Sequence, residues 1–567
     1  MIARKVREAG VSAEVHASET TADRLRGAKA IIISGGPSSV YEDGSPTVDA
    51  GIFALGCPVL GICYGQQLMA HLIGGEVQPG MKGEYGLARA TLVPSSELFR
   101  GLEPDQQVWM SHRDLVVGVP PGFSAVASTP TCPIAAMADP IRGLYAVQFH
   151  PEVVHTTHGK EILQNFLFSI AGCSKDWNPT AQIEELEDAI RTVANGRSVF
   201  FFVSGGVDST VAYTLCLRAL GPDRVWGTYV DTGLMREGET KFVEKIFESL
   251  GAKHFHVEDA SERFLSALKE VYEPERKRHI IGQLFVDVQD SILKSEHFLE
   301  GEWILGQGTI YPDTIESGGT SKADLIKTHH NRVPAIQKLI DENRLVEPLA
   351  GFYKDEVRQV GRELGLPVEF LNRHPFPGPG LAIRCLCSAE AGILEKIEDG
   401  YIVPVRSVGV QGDSRSYRPI LALAQMPDSD EATEIVNRVS RVNRVVGLVA
   451  SSVPLSSLSV RVAAIDGVRL ERLRRADAIV RRISEETGFE SEVWQFPVVI
   501  IPLGSSESEP DSIVLRPIHS VDGMTAQSVR MSEDTLRRMS NELMDVAGVA
   551  AVFYDLTHKP PATIEWE

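Results

Sequence analysis

The chain reads as an α/β protein: two open, doubly wound sheets followed by a C-terminal α+β region built from two repeated units. Three observations predict this. Short apolar runs ending in small or reactive residues alternate with helical patterns through the first two thirds of the sequence. One such run, Val199-Phe200-Phe201-Phe202-Val203, leads directly into Ser204-Gly205-Gly206-Val207-Asp208-Ser209-Thr210 and then a helical pattern. Finally, the strand patterns of 401–446 return about 100 residues later, at 496–554.

A chain of 567 residues is too long for one core, so about three or four domains are expected. With 56 Lys and Arg against 76 Asp and Glu, the formal charge is −20, which argues against a general nucleic-acid or membrane-surface binder. An anionic substrate must then meet local basic residues and helix ends. Seven scattered cysteines do not form a disulfide pattern, and Cys385-Leu386-Cys387 has no second pair spaced to complete a metal site. His155 and His158 read as surface or structural residues. No signal-peptide pattern opens the chain, and the charge-free, apolar-leaning stretch Val445 to Val460 carries several serines and Pro454. The expectation is a reduced, cytoplasmic protein with no membrane and no nucleic-acid partner.

In the first domain, 1–172, Ala30-Ile31-Ile32-Ile33 reads as a buried strand running into Ser34-Gly35-Gly36-Pro37. Pro58 to Ile62 is a second, ending at Cys63, and Leu144 to Phe149 a third, ending at His150. A polar linker, Cys173 to Pro179, and an amphipathic helix near Ile183 to Val193 open the second domain, 173–372. There Val225 to Asp231 is the next clear strand, with Asp231 at the C-terminal end where open α/β sheets bind ligands. The third region, 373–567, begins with the stiff loop His374-Pro375-Phe376-Pro377-Gly378-Pro379-Gly380. In it, Tyr401 to Val405, Arg418-Pro419-Ile420, a helix and Val442 to Val446 are followed by a matching Phe496 to Pro502, Arg516-Pro517-Ile518, a helix and Ala551 to Tyr554. Chance likeness of strand patterns is the alternative to a repeat.

Two segments carry chemistry. A strand, Ser-Gly-Gly and a helix make a cradle of backbone N–H groups suited to a phosphate chain; no Lys-Ser/Thr pair ends it, so it is not a Walker A loop. Gly61-Ile62-Cys63-Tyr64-Gly65 places a cysteine on a strand-to-helix elbow, where the helix N-terminus favours thiolate. Cys57 and Cys216 fit the ordinary buried role better. A nucleophilic cysteine needs a base, and His150 with Glu152 to orient it completes a triad. Backbone N–H groups of Gly36 and Tyr64 would receive a developing oxyanion. This set hydrolyses an amide through an acyl-enzyme.

Cys63-Tyr64-Gly65-Gln66-Gln67 with His150-Pro151-Glu152 resembles the class I glutamine amidotransferases, and Ser204 to Thr210 resembles the loop of enzymes that split ATP into AMP and pyrophosphate. With the ending Lys559-Pro560-Pro561-Ala562-Thr563-Ile564-Glu565-Trp566-Glu567, nearly the whole chain resembles the glutamine-hydrolysing GMP synthase family. The resemblance implies an ATP-dependent carbon–nitrogen ligase that uses Mg²⁺ with ATP and takes xanthosine monophosphate (XMP) and glutamine as further substrates. Ser204, Gly205, Gly206, Val207, Asp208, Ser209 and Thr210 would bind ATP; Arg278, Asp413, Gln495, Lys559 and Glu565 would contact XMP. It also puts Gln307 to Asp313 near ATP, Lys327-Thr328-His329-His330-Asn331 in a lid, and Pro377 to Gly380 beside the XMP phosphate. The two-unit C-terminal region resembles the longer, eukaryotic-type branch, whose second unit would supply in cis what a partner subunit supplies in shorter relatives; a monomer or homodimer is expected.

Two departures stand out. The chain starts inside what reads as a helix, so the first strand of the amidotransferase domain is apparently missing, and a start codon assigned too late is the preferred explanation. In Met110-Ser111-His112-Arg113-Asp114, Arg113 stands where relatives usually carry Gly, which would strain a backbone with positive φ. Read without the resemblance, the residues leave open a different adenylylated acceptor, or a nucleotide-binding regulator with a failing glutaminase.

Overall fold

The computed structural model describes residues 1–313, 334–411, 414–427, 429–520 and 525–567, which form two compact units, Met1–Pro179 and Thr180–Glu567.

The first unit is organised by a seven-stranded sheet. Its strands are β1 (Ile31–Ile33), β2 (Val59–Ile62), β3 (Glu76–Leu92), β4 (Asp105–Gly118), β5 (Ser124–Ser128), β6 (Ala136–Asp139) and β7 (Leu144–Val147), in the order β1-β2-β7-β6-β5-β3-β4. Only β1, β2 and β7 are mutually parallel; the remaining pairings are antiparallel. This sheet is mixed, not doubly wound throughout, because β3 to β7 follow one another without long crossover helices. β4 alternates buried and exposed residues as a one-sided antiparallel strand should, whereas β2 and β7 are buried at every position. The order β1-β2-β7 sets the C-terminal ends of three parallel strands side by side. Ser34-Gly35-Gly36, Cys63 and His150 all follow those ends.

In the second unit a wholly parallel sheet comprises β8 (Ser198–Val203), β9 (Val225–Asp231), β10 (His254–Asp259), β11 (Trp303–Gly306) and β12 (Leu345–Val346), ordered β10-β9-β8-β11-β12. Its direction of growth reverses at β8, and the loop Ser204 to Gly206 leaves β8 at that switch point, where such sheets hold ligands. The largest sheet of the C-terminal region has seven strands among the described residues: β13 (Glu395–Lys396), β14 (Tyr401–Gln411), β15 (Ser414–Leu423), β16 (Arg444–Ser451), β17 (Val498–Ile501), β18 (Asp511–Leu515) and β19 (Val549–Asp555). Their order is β13-β14-β15-β16-β19-β18-β17. β14–β15 and β17–β18 are antiparallel, β15–β16 and β18–β19 parallel, and β16–β19 antiparallel. One apolar core contains Phe200 and Leu305 of the five-stranded sheet together with Leu421, Ile500 and Tyr554 of the seven-stranded sheet. A second cluster, including Val403, Ile420, Phe553 and Trp566, covers the opposite face of the latter. No helix among the described residues is long and apolar enough to cross a membrane.

Candidate functional site

Cys63 sits between β2 and helix α1 (Tyr64–Leu72) with φ 53° and ψ −107°, a conformation held by its neighbours. A Cβ on Gly65 would lie 2.3 Å from the Ile33 carbonyl oxygen, and one on Gly61 2.6 Å from that of Gly65, so the elbow closes only with glycine at both places. The thiol is buried and points at the Ser111 carbonyl of β4, 3.6 Å away. His150 Nδ1 is 2.9 Å from Glu152 Oε1, and the Cys63 side chain lies beside the His150 ring. Burial alone would lower the His150 pKa, but the Cys63 and Glu152 side chains beside it raise it to about 10. The three triad residues named from the sequence are thus brought together.

A Cβ placed on Gly35 would lie 3.1 Å from His150 Cε1 and 3.5 Å from Cys63 Cβ, and one on Gly36 3.7 Å from the Tyr64 ring. The glycine turn after β1 accordingly borders the Cys–His contact and the first turn of α1. Asp114, which sequence reasoning did not single out, fixes this turn: Ser39 Oγ donates to its carboxylate, and Gln67 Nε2 of α1 donates to its carbonyl at 2.8 Å. The strain expected at Arg113 does not arise. The residue is exposed in extended β4, opposite the register break between Pro79 and Glu84 of β3, and is absent from the non-glycine residues with positive φ.

In the second unit Ser204 to Thr210 joins β8 to helix α2 (Val207–Leu220). Ser204 Oγ and Ser209 Oγ are 3.2 Å apart, the Gly206 N–H donates to Ser204 Oγ at 3.3 Å, and Thr210 Oγ1 donates to the Gly206 carbonyl at 2.9 Å. The segment after β11 packs on the loop so closely that a Cβ on Gly308 would lie 2.7 Å from Ser209 N. Lys354, at the start of helix α4 once α3 is counted (α3, Pro274–Ser295; α4, Lys354–Glu363), reaches Asp208 Oδ2 at 3.3 Å. The other oxygen of Asp208 is buried without a hydrogen-bond partner. Lys354 carries no signal in its local sequence; only the fold sets it opposite Asp208. Asp231 accepts from the Gly233 N–H at 2.8 Å and from Thr240 Oγ1 at 2.6 Å at the end of β9.

Of the residues expected at XMP, Asp413 lies outside the described residues, as does the segment Lys327 to Asn331. Arg278 on α3 donates to a main-chain oxygen of Glu567, and its neighbour Lys277, wholly buried, pairs with the Glu567 side-chain carboxylate. Glu565 accepts two hydrogen bonds from Arg384, at 3.0 and 2.7 Å, and the Arg384 guanidinium lies 5.4 Å from the Phe376 ring centre. Gln495 donates to the Pro375 carbonyl at 3.1 Å and keeps its own buried oxygen unpartnered. Arg278, Gln495 and Glu565 therefore converge around 375–384 and the C-terminal residues. Lys559 is placed by backbone pairing with Ala526.

Behind the C-terminal segment lies a group that the sequence did not disclose. Arg444 and Arg516 share one oxygen of Asp555, at 2.9 and 2.8 Å, with all three side chains inaccessible. Other donors of the two go to the carbonyls of Val408, Thr557, Thr563, Ile564 and Glu565, while Arg444 Nε is buried without a partner, and Trp566 Nε1 donates to the same Asp555 oxygen at 3.0 Å.

A cysteine elbow with a His–Glu pair in one unit and a phosphate-type loop at a sheet switch point in the other define a glutamine amidotransferase joined to a nucleotide-activating synthetase. Residues 1–170 match the family Glutamine amidotransferase class-I, 181–290 match NAD synthase, and 482–566 match GMP synthase C terminal domain. The chain is 41% identical over 594 residues to a Leptospira interrogans protein named "Probable GMP synthase (glutamine-hydrolyzing)", covering 100% of this chain and 97% of that one. It is also similar to the GMP synthases of Caldicellulosiruptor saccharolyticus (40% over 576 residues) and Geobacillus kaustophilus (39% over 578 residues), each match covering 100% of this chain and 97% of the relative. The chain belongs to the glutamine-hydrolysing GMP synthase family.

Proposed function

We propose that this chain makes GMP from XMP, ATP and glutamine, with the residue roles that follow. Cys63 attacks the side-chain amide carbon of glutamine, and the oxyanion meets the N–H groups of Gly36 and Tyr64. His150, carrying the proton that Cys63 gives up, protonates the departing ammonia and then deprotonates the water that releases glutamate. Glu152 holds the imidazole in place. The observation that carries this reading is the Cys63–His150–Glu152 contact at the ends of adjacent parallel strands.

At the second site Ser204 to Thr210 cradle the ATP phosphates and Lys354 adds positive charge. The XMP C2 oxygen attacks the α-phosphorus and displaces pyrophosphate; ammonia then adds at C2 and AMP leaves. Arg278, Asp413, Gln495, Lys559 and Glu565 hold XMP in this reading. The unpartnered Asp208 oxygen suits a Mg²⁺ ion carried in with ATP, which would neutralise phosphate charge.

We also read the chain as three functional segments, 1–172, 173–372 and 373–567, the last being two copies of one unit. Support for the repeat comes from the like senses of β14-β15-β16 and β17-β18-β19, each with a helix before its third strand: α5 (Ser429–Arg438) in the first and, after α6 (Gly467–Thr487), α7 (Glu533–Met544) in the second. Such a chain can complete its XMP site alone, and a tight dimer as the sole active species would refute that. Seven free cysteines suit a reducing, cytoplasmic setting.

The deciding experiment measures AMP release from ATP, Mg²⁺ and XMP with either glutamine or ammonium. Activity with both, and loss of the glutamine rate alone in Cys63→Ala, is expected. Conversion of another acceptor in place of XMP would overturn the substrate assignment.

A further inference from the structure

The base, His150, belongs to a loop that is fastened to β4 along its length. Its N–H donates to the Trp109 carbonyl at 3.0 Å. Thr156 Oγ1 then accepts from the Trp109 N–H at 3.0 Å and donates to the His150 carbonyl at 2.6 Å. One hydroxyl thereby closes a ring between both backbone groups of Trp109 and both of His150. The His155 ring lies 4.5 Å from that of Trp109, and the Thr157 N–H donates to the Gln107 carbonyl at 3.2 Å. Two residues along the same strand from Trp109, the Ser111 carbonyl faces the Cys63 thiol. β4 is the common rail against which nucleophile and base are both measured, and Thr156, 4% exposed, is its link to the base.

We propose that Thr156 is a positioning residue for glutamine hydrolysis: its hydroxyl sets the distance of His150 from Cys63 by locking the His150 carbonyl to Trp109 of β4. The proposal rests on the triad reading above. Neither the histidine–glutamate contact nor stability of the strand requires it, since Glu152 binds the ring and not the backbone, and β4 has its own ladder with β3. A hydroxyl is the needed group, because it must accept and donate at once; valine has the same shape and can do neither. Thr156→Val leaves two buried backbone groups unpaired and frees the loop to shift by a few tenths of an ångström or more.

The test compares Thr156→Val, Thr156→Ser and Cys63→Ala in glutamine- and ammonium-dependent AMP release. Thr156→Val should lower the glutamine-dependent kcat about 10- to 100-fold with little change in the KM for glutamine, while the ammonium-dependent rate stays as in the parent. Thr156→Ser should restore most of the loss. The rate of Cys63 alkylation by iodoacetamide, recorded against pH, should depart from the parent profile in the valine variant and not in the serine variant. A valine variant with the parent glutamine kcat and alkylation profile overturns the proposal, as does a serine variant as slow as valine. If Thr156→Val does not fold, Thr156→Ala at an unchanged unfolding midpoint decides in the same way against Thr156→Ser. Retention of glutamine use by Cys63→Ala would instead sink the triad reading, a result separable from either outcome at Thr156.

Discussion

Replacing Asp555 by Asn tests what holds the C-terminal segment against the sheet. Asp555 is the counter-ion that Arg444 and Arg516 share, and all three side chains are inaccessible. Asn keeps the shape and can still accept from Trp566 Nε1, so the change is chiefly one of charge. Breaking a buried pair by removing one partner costs about 3–5 kcal/mol, and here two guanidinium groups lose their partner at once, which places the expected loss near the top of that range. Set against a net stability of about 5–15 kcal/mol, this is a large fraction, and it should lower the urea midpoint of the second unit by about 1 M. The same change should raise the KM for XMP more than that for ATP, because the two arginines hold the carbonyls of Thr563, Ile564 and Glu565. The pH dependence provides a second signature. Burial would raise the Asp555 pKa, but Arg516 and Arg444 overcome it and hold the carboxyl below its ordinary value. Its contribution is therefore present above the unfolded carboxyl pKa of about 4 and is lost as pH falls through the lower folded value. Urea midpoints recorded down the acid limb should show that component in the parent and not in Asp555→Asn. An unchanged midpoint at neutral pH together with an unchanged KM for XMP would refute the idea that this ion group positions the segment.

Three further outcomes are expected. Lys354→Ala should raise the KM for ATP about tenfold with a midpoint within ~1 kcal/mol of the parent, because its half-exposed pair with Asp208 adds little to stability; an unchanged ATP KM would remove Lys354 from the nucleotide site. Gly308→Ala forces a Cβ to 2.7 Å from Ser209 N, so ATP-dependent adenylylation should be lost while glutamine hydrolysis in the first unit survives, as assays of the two half-reactions would show. Glu152→Gln should cut the glutamine-dependent rate about 10²-fold or more and spare the ammonium-dependent one. In the parent, the His150 proton contributes stability that is full below the ordinary imidazole pKa and fades as pH rises through about 10. Unfolding midpoints against pH should show that fading displaced to lower pH in Glu152→Gln, and an identical profile would mean Glu152 does not hold the proton.

The cysteine elbow was legible because its constraints are local. Gly61 and Gly65 bracket Cys63 in the sequence, and the clashes that exclude a side chain there involve Gly65 itself and the neighbouring β1. His150 could be chosen for the same reason: each of the three reactive segments follows an apolar run, and β1, β2 and β7 are parallel neighbours. The proposed ATP loop was equally plain, since strand, glycines and helix are contiguous from Ser198 to Leu220. The mixed character of the first sheet was less so. The alternation in β4 that marks an antiparallel, half-buried strand is overlaid by polar residues such as Gln106, His112 and Asp114 that point inward and find partners there.

Asp114, Thr156, Lys354 and the Arg444–Asp555–Arg516 group were hidden for a different reason. In a sequence an arginine or threonine looks like surface, because burial of such a group is favourable only if partners from distant segments meet it. Arg444 and Arg516 find theirs 111 and 39 positions away in Asp555, through separations (555 − 444 and 555 − 516) that no local pattern records. Such groups become visible only when topology is known, and here that topology gives them a common theme. Each fastens a loop of a proposed site to an element whose position is already set by the sheet: Asp114 the glycine turn, Thr156 the histidine loop, Lys354 the loop after β8, and the paired arginines the C-terminal segment. The residues proposed to react sit at strand ends, where short-range sequence specifies them, while the spacing between them is set by polar links of long range. Substitutions at the first kind of position should abolish a half-reaction; at the second they should slow it and be rescued by a residue of the same hydrogen-bonding type.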